Sequence, residues 1–156
     1  MPDHFEDHWV CQYWHALEQR WIMVDGQLDK LQRQVLKITF DPLDMPPGRF
    51  IPAGQAWQMA RSGKADPDQF GIFQLHGLNF IRGNVLRDLA ALNKHEVLPW
   101  DSWGLLKKRF SQGYTAQLAY LDLLADLTLQ DDAAFPQVRS TYTRDIDLRV
   151  PSTWLQ

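Results

Sequence analysis

The chain has 156 residues, a length that suits one domain built around one hydrophobic core. Its hydrophobic fraction of 45% and charged fraction of 22% are typical of a soluble globular protein. A formal net charge of -3, without a long run of Lys or Arg, excludes the basic surface that nucleic-acid binding requires. We therefore interpret residues 1–156 as a single domain that has no nucleic-acid partner.

Cysteine content and the N-terminal residues bear on the compartment. Cys11 is the one cysteine of the chain, so an intramolecular disulfide is impossible, which fits a reducing compartment. Residues 1–8 are acidic and lack the apolar core of a signal peptide. Apolar stretches in the sequence fall short of the roughly 18 residues that span a bilayer. These observations predict a cytoplasmic protein without a membrane partner.

The N-terminal quarter of the chain carries the pattern of β-structure. Residues 8–14 and 20–25 alternate in polarity and are rich in Trp, Val, Tyr and Ile, which predicts a hairpin with a loop at 15–19 or slightly shorter. Residues 29–34 are interpreted as an exposed connection. Residues 35–40 predict a third short strand.

Three prolines and a glycine in residues 41–48 predict a break in regular structure, and the chain after it is predicted to be helical. Apolar residues at a spacing of three and four, together with capping residues, indicate five helices. They are predicted over residues 52–62, 77–93, 101–110, 115–129 and 132–144. The fold class is thus α+β, with a small antiparallel sheet part (1–40) followed by a mostly helical part (41–156).

His8 and Asp25 are the candidate functional pair. If the hairpin loop covers residues 15–18, Trp14 faces Gln19 and His8 faces Asp25, with Cβ atoms about 4.5–5.5 Å apart on one sheet face. A carboxylate beside an imidazole orients the ring and stabilises its protonated form, which is the base and orienting half of a nucleophilic triad. The same pair also fits a simple structural hydrogen bond, and a one-residue change in register would separate the two side chains.

The segments that hold this pair, residues 7–14 and 20–28, resemble the transglutaminase-like superfamily. In that superfamily the catalytic His begins a strand with an apolar and aromatic run, and the catalytic Asp follows Val on the next strand. Residues 98–104 also look like those of bacterial transglutaminase-like proteins. The resemblance implies a cysteine protease-type fold and thiol-dependent acyl transfer or peptide hydrolysis, with His8 as general base and Asp25 as its orienting carboxylate.

The sequence departs from that pattern at the nucleophile. The family places its catalytic Cys some tens of residues before the His, whereas the seven residues before His8 include no Cys. Cys11 is predicted on the opposite sheet face and is interpreted as a buried small hydrophobic residue. We expect the chain to be inactive alone, as a fragment of a longer protein or as a shortened homologue. The alternative is a non-catalytic module that binds a protein or ligand with the same fold.

Other conspicuous side chains point to structural roles. The spacing of His4 and His8 matches no standard zinc pattern, and His76 is predicted as a cap or surface residue, so neither a metal nor a cofactor is expected. Trp100 and Trp103 are predicted to pack in the core, and the alternative is that they line a cleft beside His8.

The expected partner follows from the missing nucleophile segment. In the family, the Cys-bearing helix covers the sheet face that carries the His. Without that helix a large apolar face would stay exposed, so we expect a homodimer or a protein segment that covers the hairpin. The residues of that face are His8, Val10, Gln12, Trp14, Trp21 and Met23.

Overall fold

The computed structural model describes residues 4–110 and 115–154 and confirms the α+β class. The strands are β1 (Phe5–Glu6), β2 (Cys11–His15), β3 (Arg20–Val24), β4 (Phe70–Ile72) and β5 (Leu75–His76). The helices are α1 (Lys30–Val35), α2 (Ala53–Arg61), α3 (Leu78–Leu92), α4 (Gly104–Lys107), α5 (Thr115–Thr128) and α6 (Phe135–Arg144). Internal contacts group residues 7–51 into one compact unit, and β1 with the chain from residue 52 onward into another.

The predicted hairpin is present in the unit formed by residues 7–51, but with a different register. Strands β2 and β3 are antiparallel, and Trp14 lies opposite Trp21 instead of Gln19, because His15 belongs to the strand and the loop covers residues 16–19. The predicted pairing is therefore displaced by two residues. Since side chains alternate with a period of two, this displacement leaves every residue on its predicted face.

The predicted strand over residues 35–40 is wrong. The segment before it, predicted as an exposed connection, has no buried residue and forms a helix. Helix α1 occupies residues 30–35, and the following residues form a turn. Asp29 begins the helix by accepting a hydrogen bond from the Gln32 N–H at 2.7 Å, while the Gln32 side chain accepts the Asp29 N–H at 2.9 Å. This reciprocal capping satisfies two donors of the first turn and fixes the start of α1.

A proline-containing loop covers the outer edge of β3. The Met45 N–H donates to the Met23 carbonyl at 3.0 Å, and the Asp25 N–H donates to the Pro42 carbonyl at 2.8 Å. The loop is thereby joined to the strand by backbone hydrogen bonds of the kind that join strands in a sheet. Asp25, the residue after β3, is held at its backbone by this loop.

Arg20 joins the hairpin to the same loop through its side chain. Its guanidinium donates two hydrogen bonds to the Asp44 carboxylate, at 2.7 and 2.8 Å, and a third to Glu18 at 2.6 Å. The bond to Asp44, followed by the bond to Glu18, raises the pKa of Arg20. The paired geometry fixes the orientation of both planar groups.

The predicted helices over 52–62, 77–93 and 115–129 are confirmed as α2, α3 and α5, with bounds that differ by at most one residue. The helix predicted over 132–144 begins with a 3-10 turn and continues as α6, and that over 101–110 shortens to α4. Helices α2, α3 and α5 pack against one another around fully buried side chains. These include Trp57, Ile81, Val85, Leu89, Leu121 and Leu124. No helix within residues 4–110 and 115–154 is long and apolar enough to span a membrane.

A three-stranded sheet in this second unit is absent from the sequence prediction. Strand β1 pairs in parallel with β4, where Phe5 lies opposite Phe70 with stacked rings 4.5 Å apart. Strands β4 and β5 form a short hairpin with a two-residue turn that begins at Phe73. Phe73 has a φ of 51° and is 86% exposed, so a large aromatic side chain occupies a backbone conformation that favours glycine.

Arg82 is a buried cation in α3. Its guanidinium donates to the carbonyls of Leu105, Leu106 and Lys108 at 3.2–3.5 Å, and lies 5.0 Å from the Phe110 ring centroid. Burial lowers the pKa of Arg82. The planar donor group therefore binds carbonyls in and just after α4, among which that of Leu105 also accepts the Lys108 N–H at 3.2 Å.

Candidate functional site

His8 and Asp25, the pair predicted to carry the chemistry, are in hydrogen-bond contact within the unit formed by residues 7–51. The distance from His8 Nε2 to Asp25 Oδ2 is 2.6 Å. The Asp25 side chain is 2% exposed, whereas the His8 side chain is 34% exposed. The pair therefore joins a buried carboxylate to an imidazole that reaches solvent.

The local backbone explains why the carboxylate is held in place. Asp25 directly follows β3, and its N–H is fixed by the Pro42 carbonyl. Its second oxygen, Oδ1, accepts the Gln27 N–H at 2.9 Å. Both carboxylate oxygens are thus occupied, which offsets the free energy lost by removing a charged group from water.

The hydrogen bonds of Asp25 determine the tautomer of the neutral His8 ring. An ionised carboxylate can only accept hydrogen bonds, so the proton of the imidazole lies on Nε2. Nδ1 then carries the free lone pair. A ring held in this way presents Nδ1 as an acceptor for a proton from a thiol or another donor.

The contact predicted between His8 and Asp25 is present, although the two residues are not directly opposed in the ladder. Val24 pairs with Cys11, and Asp25 lies one residue beyond that last pair. His8 reaches the carboxylate from the segment before β2. The prediction succeeded on the face of the sheet and failed on the register, while the catalytic roles of the two residues stay a prediction.

Cys11 differs from its predicted state. It pairs with Val24 and shares its sheet face with Tyr13 and Ile22, as expected, but it is exposed instead of buried. Within residues 4–110 and 115–154, β2 pairs with β3 alone, and four of its five residues are exposed. By the alternation of the strand, Cys11 points away from the face that the hairpin shares with Asp25.

The remaining candidate residues have other environments. Trp103 is 2% exposed and its indole N–H donates to the Leu148 carbonyl at 2.9 Å, which confirms its core position. Trp100 is 75% exposed, so its predicted burial is wrong. His76 is exposed, as predicted, with Nδ1 3.4 Å from Asp68. Among residues 4–110 and 115–154, no three His, Cys, Asp or Glu residues cluster as metal ligands.

An open groove between α2 and α5, of about 370 Å³, was missed by the sequence prediction. Asp122 lines the groove and accepts hydrogen bonds from the Trp57 indole at 2.7 Å and from Arg61 at 3.0 Å. The hydrogen bonds from Arg61 and, secondarily, from Trp57 lower the pKa of Asp122. Gln58 likewise donates to Asp126. The polar side chains of this groove satisfy one another, so they do not converge on a ligand.

No protein family, curated protein or solved structure matches this chain. The resemblance to transglutaminase-like proteins consequently rests on the motif residues alone.

Proposed function

We propose that His8 and Asp25 are the general base and the orienting carboxylate of a thiol-dependent acyl-transfer or peptide-hydrolysis site of the transglutaminase-like type. The observation that carries this proposal is the 2.6 Å bond between a buried carboxylate and a partly exposed imidazole. A general base must be reached by its proton donor, and the 34% exposure of the His8 side chain allows that access.

The chemistry of the pair follows from its proton positions. Nδ1 of His8 accepts the proton of a thiol as the thiolate attacks a carbonyl carbon, and the ring becomes an imidazolium. Asp25 stabilises this cation through Nε2–H and remains ionised. The same proton then passes from Nδ1 to the leaving amine, which restores the neutral ring and leaves an acyl-thioester for transfer or hydrolysis.

Cys11 does not fit the role of that thiol. It lies on the opposite face of β2, and activation of a thiol requires hydrogen-bond reach of the base. The nucleophile would therefore have to be a thiol that residues 1–156 do not contain, supplied by a further segment or by another chain. We propose that residues 1–156 alone have neither transamidase nor protease activity.

A second candidate function is a non-catalytic binding module. It is favoured by the exposure of the hairpin, where Trp14 and Trp21 are 46% and 45% exposed with rings 5.7 Å apart. Aromatic side chains of this size and exposure are common in binding surfaces.

A small thiol added in solution separates the two functions. We would measure thiolysis of an activated acyl ester by the purified chain with and without excess mercaptoethanol. If His8 is a base, the wild type with thiol should react about tenfold faster than His8→Ala, well below the 10²–10⁴ of a fully positioned base, because the thiol is free. The control is His76→Ala, which removes an exposed His beside a carboxylate and should leave the rate unchanged.

Equal thiol-dependent rates in the wild type and His8→Ala would contradict the catalytic proposal and favour the binding module. Turnover without added thiol that is blocked by iodoacetamide and lost in Cys11→Ala would instead show that Cys11 is the nucleophile. That result would overturn the proposed inactivity of the chain alone.

A further inference from the structure

The outer edge of β2 presents backbone N–H and C=O groups that could bind another strand. Because the Met23 carbonyl accepts a hydrogen bond from the loop, Met23 directs its backbone groups away from β2. Gln12, which is opposite Met23, must then be a pair without mutual hydrogen bonds, and Trp14 opposite Trp21 is the next such pair. The N–H and C=O groups of Gln12 and Trp14 therefore point outward. Within the described part of the chain, no backbone hydrogen bond reaches these groups.

Strand β2 also lacks the features that normally protect an edge. Its sequence, Cys-Gln-Tyr-Trp-His, contains neither proline nor glycine nor a permanent charge. Natural edge strands are usually protected by such residues, or by a bulge, against pairing with another chain. In the same hairpin, the outer edge of β3 is covered by the loop that carries Pro42 and Met45. The open edge of β2 thus differs from its covered counterpart.

We propose that β2 pairs with β2 of a second copy of this chain, antiparallel and about a two-fold axis at Tyr13. In this register Gln12 lies opposite the partner's Trp14, and each of these residues directs its backbone groups toward the other. Four hydrogen bonds form across the axis, and the two hairpins become one four-stranded sheet. The hydrogen-bonding pattern of β2 is complementary to itself, which favours a second copy as the occupant.

Side chains on both faces support this register. On one face Trp14, 46% exposed, would pack beside the partner's Gln12, which extends the row formed by Trp14 and Trp21. On the other face Tyr13, 47% exposed, would lie directly opposite the partner's Tyr13. No charged residue of β2 meets a like charge in this arrangement. This inference is independent of the proposed catalysis.

The test places a charge on the two-fold axis. In Tyr13→Lys, two lysines would face each other with Cβ atoms about 4.5–5.5 Å apart, and Tyr13→Glu would do the same with carboxylates. We expect sedimentation velocity to show a concentration-dependent dimer for the wild type, and a dimer dissociation constant raised by about tenfold or more in each variant. An equimolar mixture of the two variants should dimerise again, since Lys then faces Glu.

Leu17→Lys is the matched control, because it adds the same charge at a loop residue that is 93% exposed, and it should dimerise like the wild type. If the position 13 variants fail to fold by circular dichroism, Gln12→Pro replaces them, because the lost N–H points outward and β2–β3 pairing is kept. Gln12→Pro should also weaken the dimer. A wild type that stays monomeric to near-millimolar concentration, a folded mixture that stays monomeric, or a Gln12→Pro variant that dimerises like the wild type would overturn the proposal.

Discussion

Replacing Asp25 with Asn should move the proton of the His8 ring from Nε2 to Nδ1. The Asn side chain has one oxygen, whereas Asp25 uses two, one for the Gln27 N–H and one for His8. The backbone N–H of Gln27 can only donate, so it retains the oxygen. The amide nitrogen then faces His8 and donates to Nε2, which requires the other tautomer of the ring.

The effect of this substitution on stability should be small. A hydrogen bond to a charged group contributes about 1.5–3 kcal/mol, and a neutral one about 0.5–1.5 kcal/mol. The difference is about 1–2 kcal/mol, and the lower value applies because His8 is 34% exposed and water competes for it. We therefore expect Asp25→Asn to lower the free energy of unfolding by about 1 kcal/mol.

Nitrogen-15 NMR of the imidazole rings, at a pH where they are neutral, distinguishes protonated from unprotonated ring nitrogens. The wild type should show the proton of His8 on Nε2, and Asp25→Asn should show it on Nδ1. Asp68→Asn, which alters the looser and exposed pair with His76, should leave the His8 spectrum unchanged. The same tautomer in wild type and Asp25→Asn would refute the reasoning, as would a wild-type ring already protonated on Nδ1.

Three further predictions concern the helical unit and are measured by urea unfolding. Gly54→Ala should lower the free energy of unfolding by about 1–2 kcal/mol, because its Cβ would lie 2.6 Å from a carbonyl oxygen of α5. This overpacking outweighs the gain in helix propensity. The control, Gln55→Ala at an exposed position of the same helix, should not lower it. Arg82→Lys should lose about 1–3 kcal/mol, since one ammonium cannot match the planar fork that binds three carbonyls, and unchanged stability would contradict this account. Asp122 has a lowered pKa, so its contribution to stability is present above 3.8 and lost as the pH falls through its folded-state value. Asp122→Asn should therefore show a flatter decline in stability below pH 3.8 than the wild type, and parallel curves would exclude the role of its bond to Arg61.

The long helices could be predicted because their apolar residues repeat over many turns. Helix α3, for example, has a continuous buried stripe formed by Leu78, Ile81, Val85 and Leu89. A spacing of three and four residues over this length is typical of a helix and not of a strand. Strand β1 has two residues and pairs with β4, which is far away in the sequence. Two residues are too few for an alternating pattern that would predict a strand. Short strands of this kind are determined by contacts between distant segments.

The capping of α1 was visible in the sequence, because Asp29 is followed three residues later by Gln32. The alternation of residues 35–40 resembled a strand and outweighed this signal. Helix α1 has no buried residue, so it lacks the apolar periodicity that identifies longer helices. The capping residues therefore indicate where α1 begins, whereas the apolar pattern of the sequence does not indicate a helix there.

The contact between His8 and Asp25 could be predicted because it depends on the face of the sheet more than on its register. Assigning His15 to the loop displaced the ladder by two residues and preserved both faces. Exposure was harder to predict, because it depends on what covers a strand. Cys11 is on the expected face of β2, but an edge strand leaves it accessible to solvent.

Because β1 pairs with β4, residues 7–51 are an insertion within the sequence of the unit that contains both strands. The chain leaves one compact unit after Glu6 and re-enters it at Pro52, so that unit is discontinuous in sequence. The pairing of Phe5 with Phe70 closes a loop of about 65 residues, and a linker that shortened the loop to about 20 would reduce the closure entropy by about 1 kcal/mol. A shortened chain intended to isolate the helical unit should therefore retain β1 and excise the insertion, since a simple truncation at residue 52 would remove a strand from the sheet that remains.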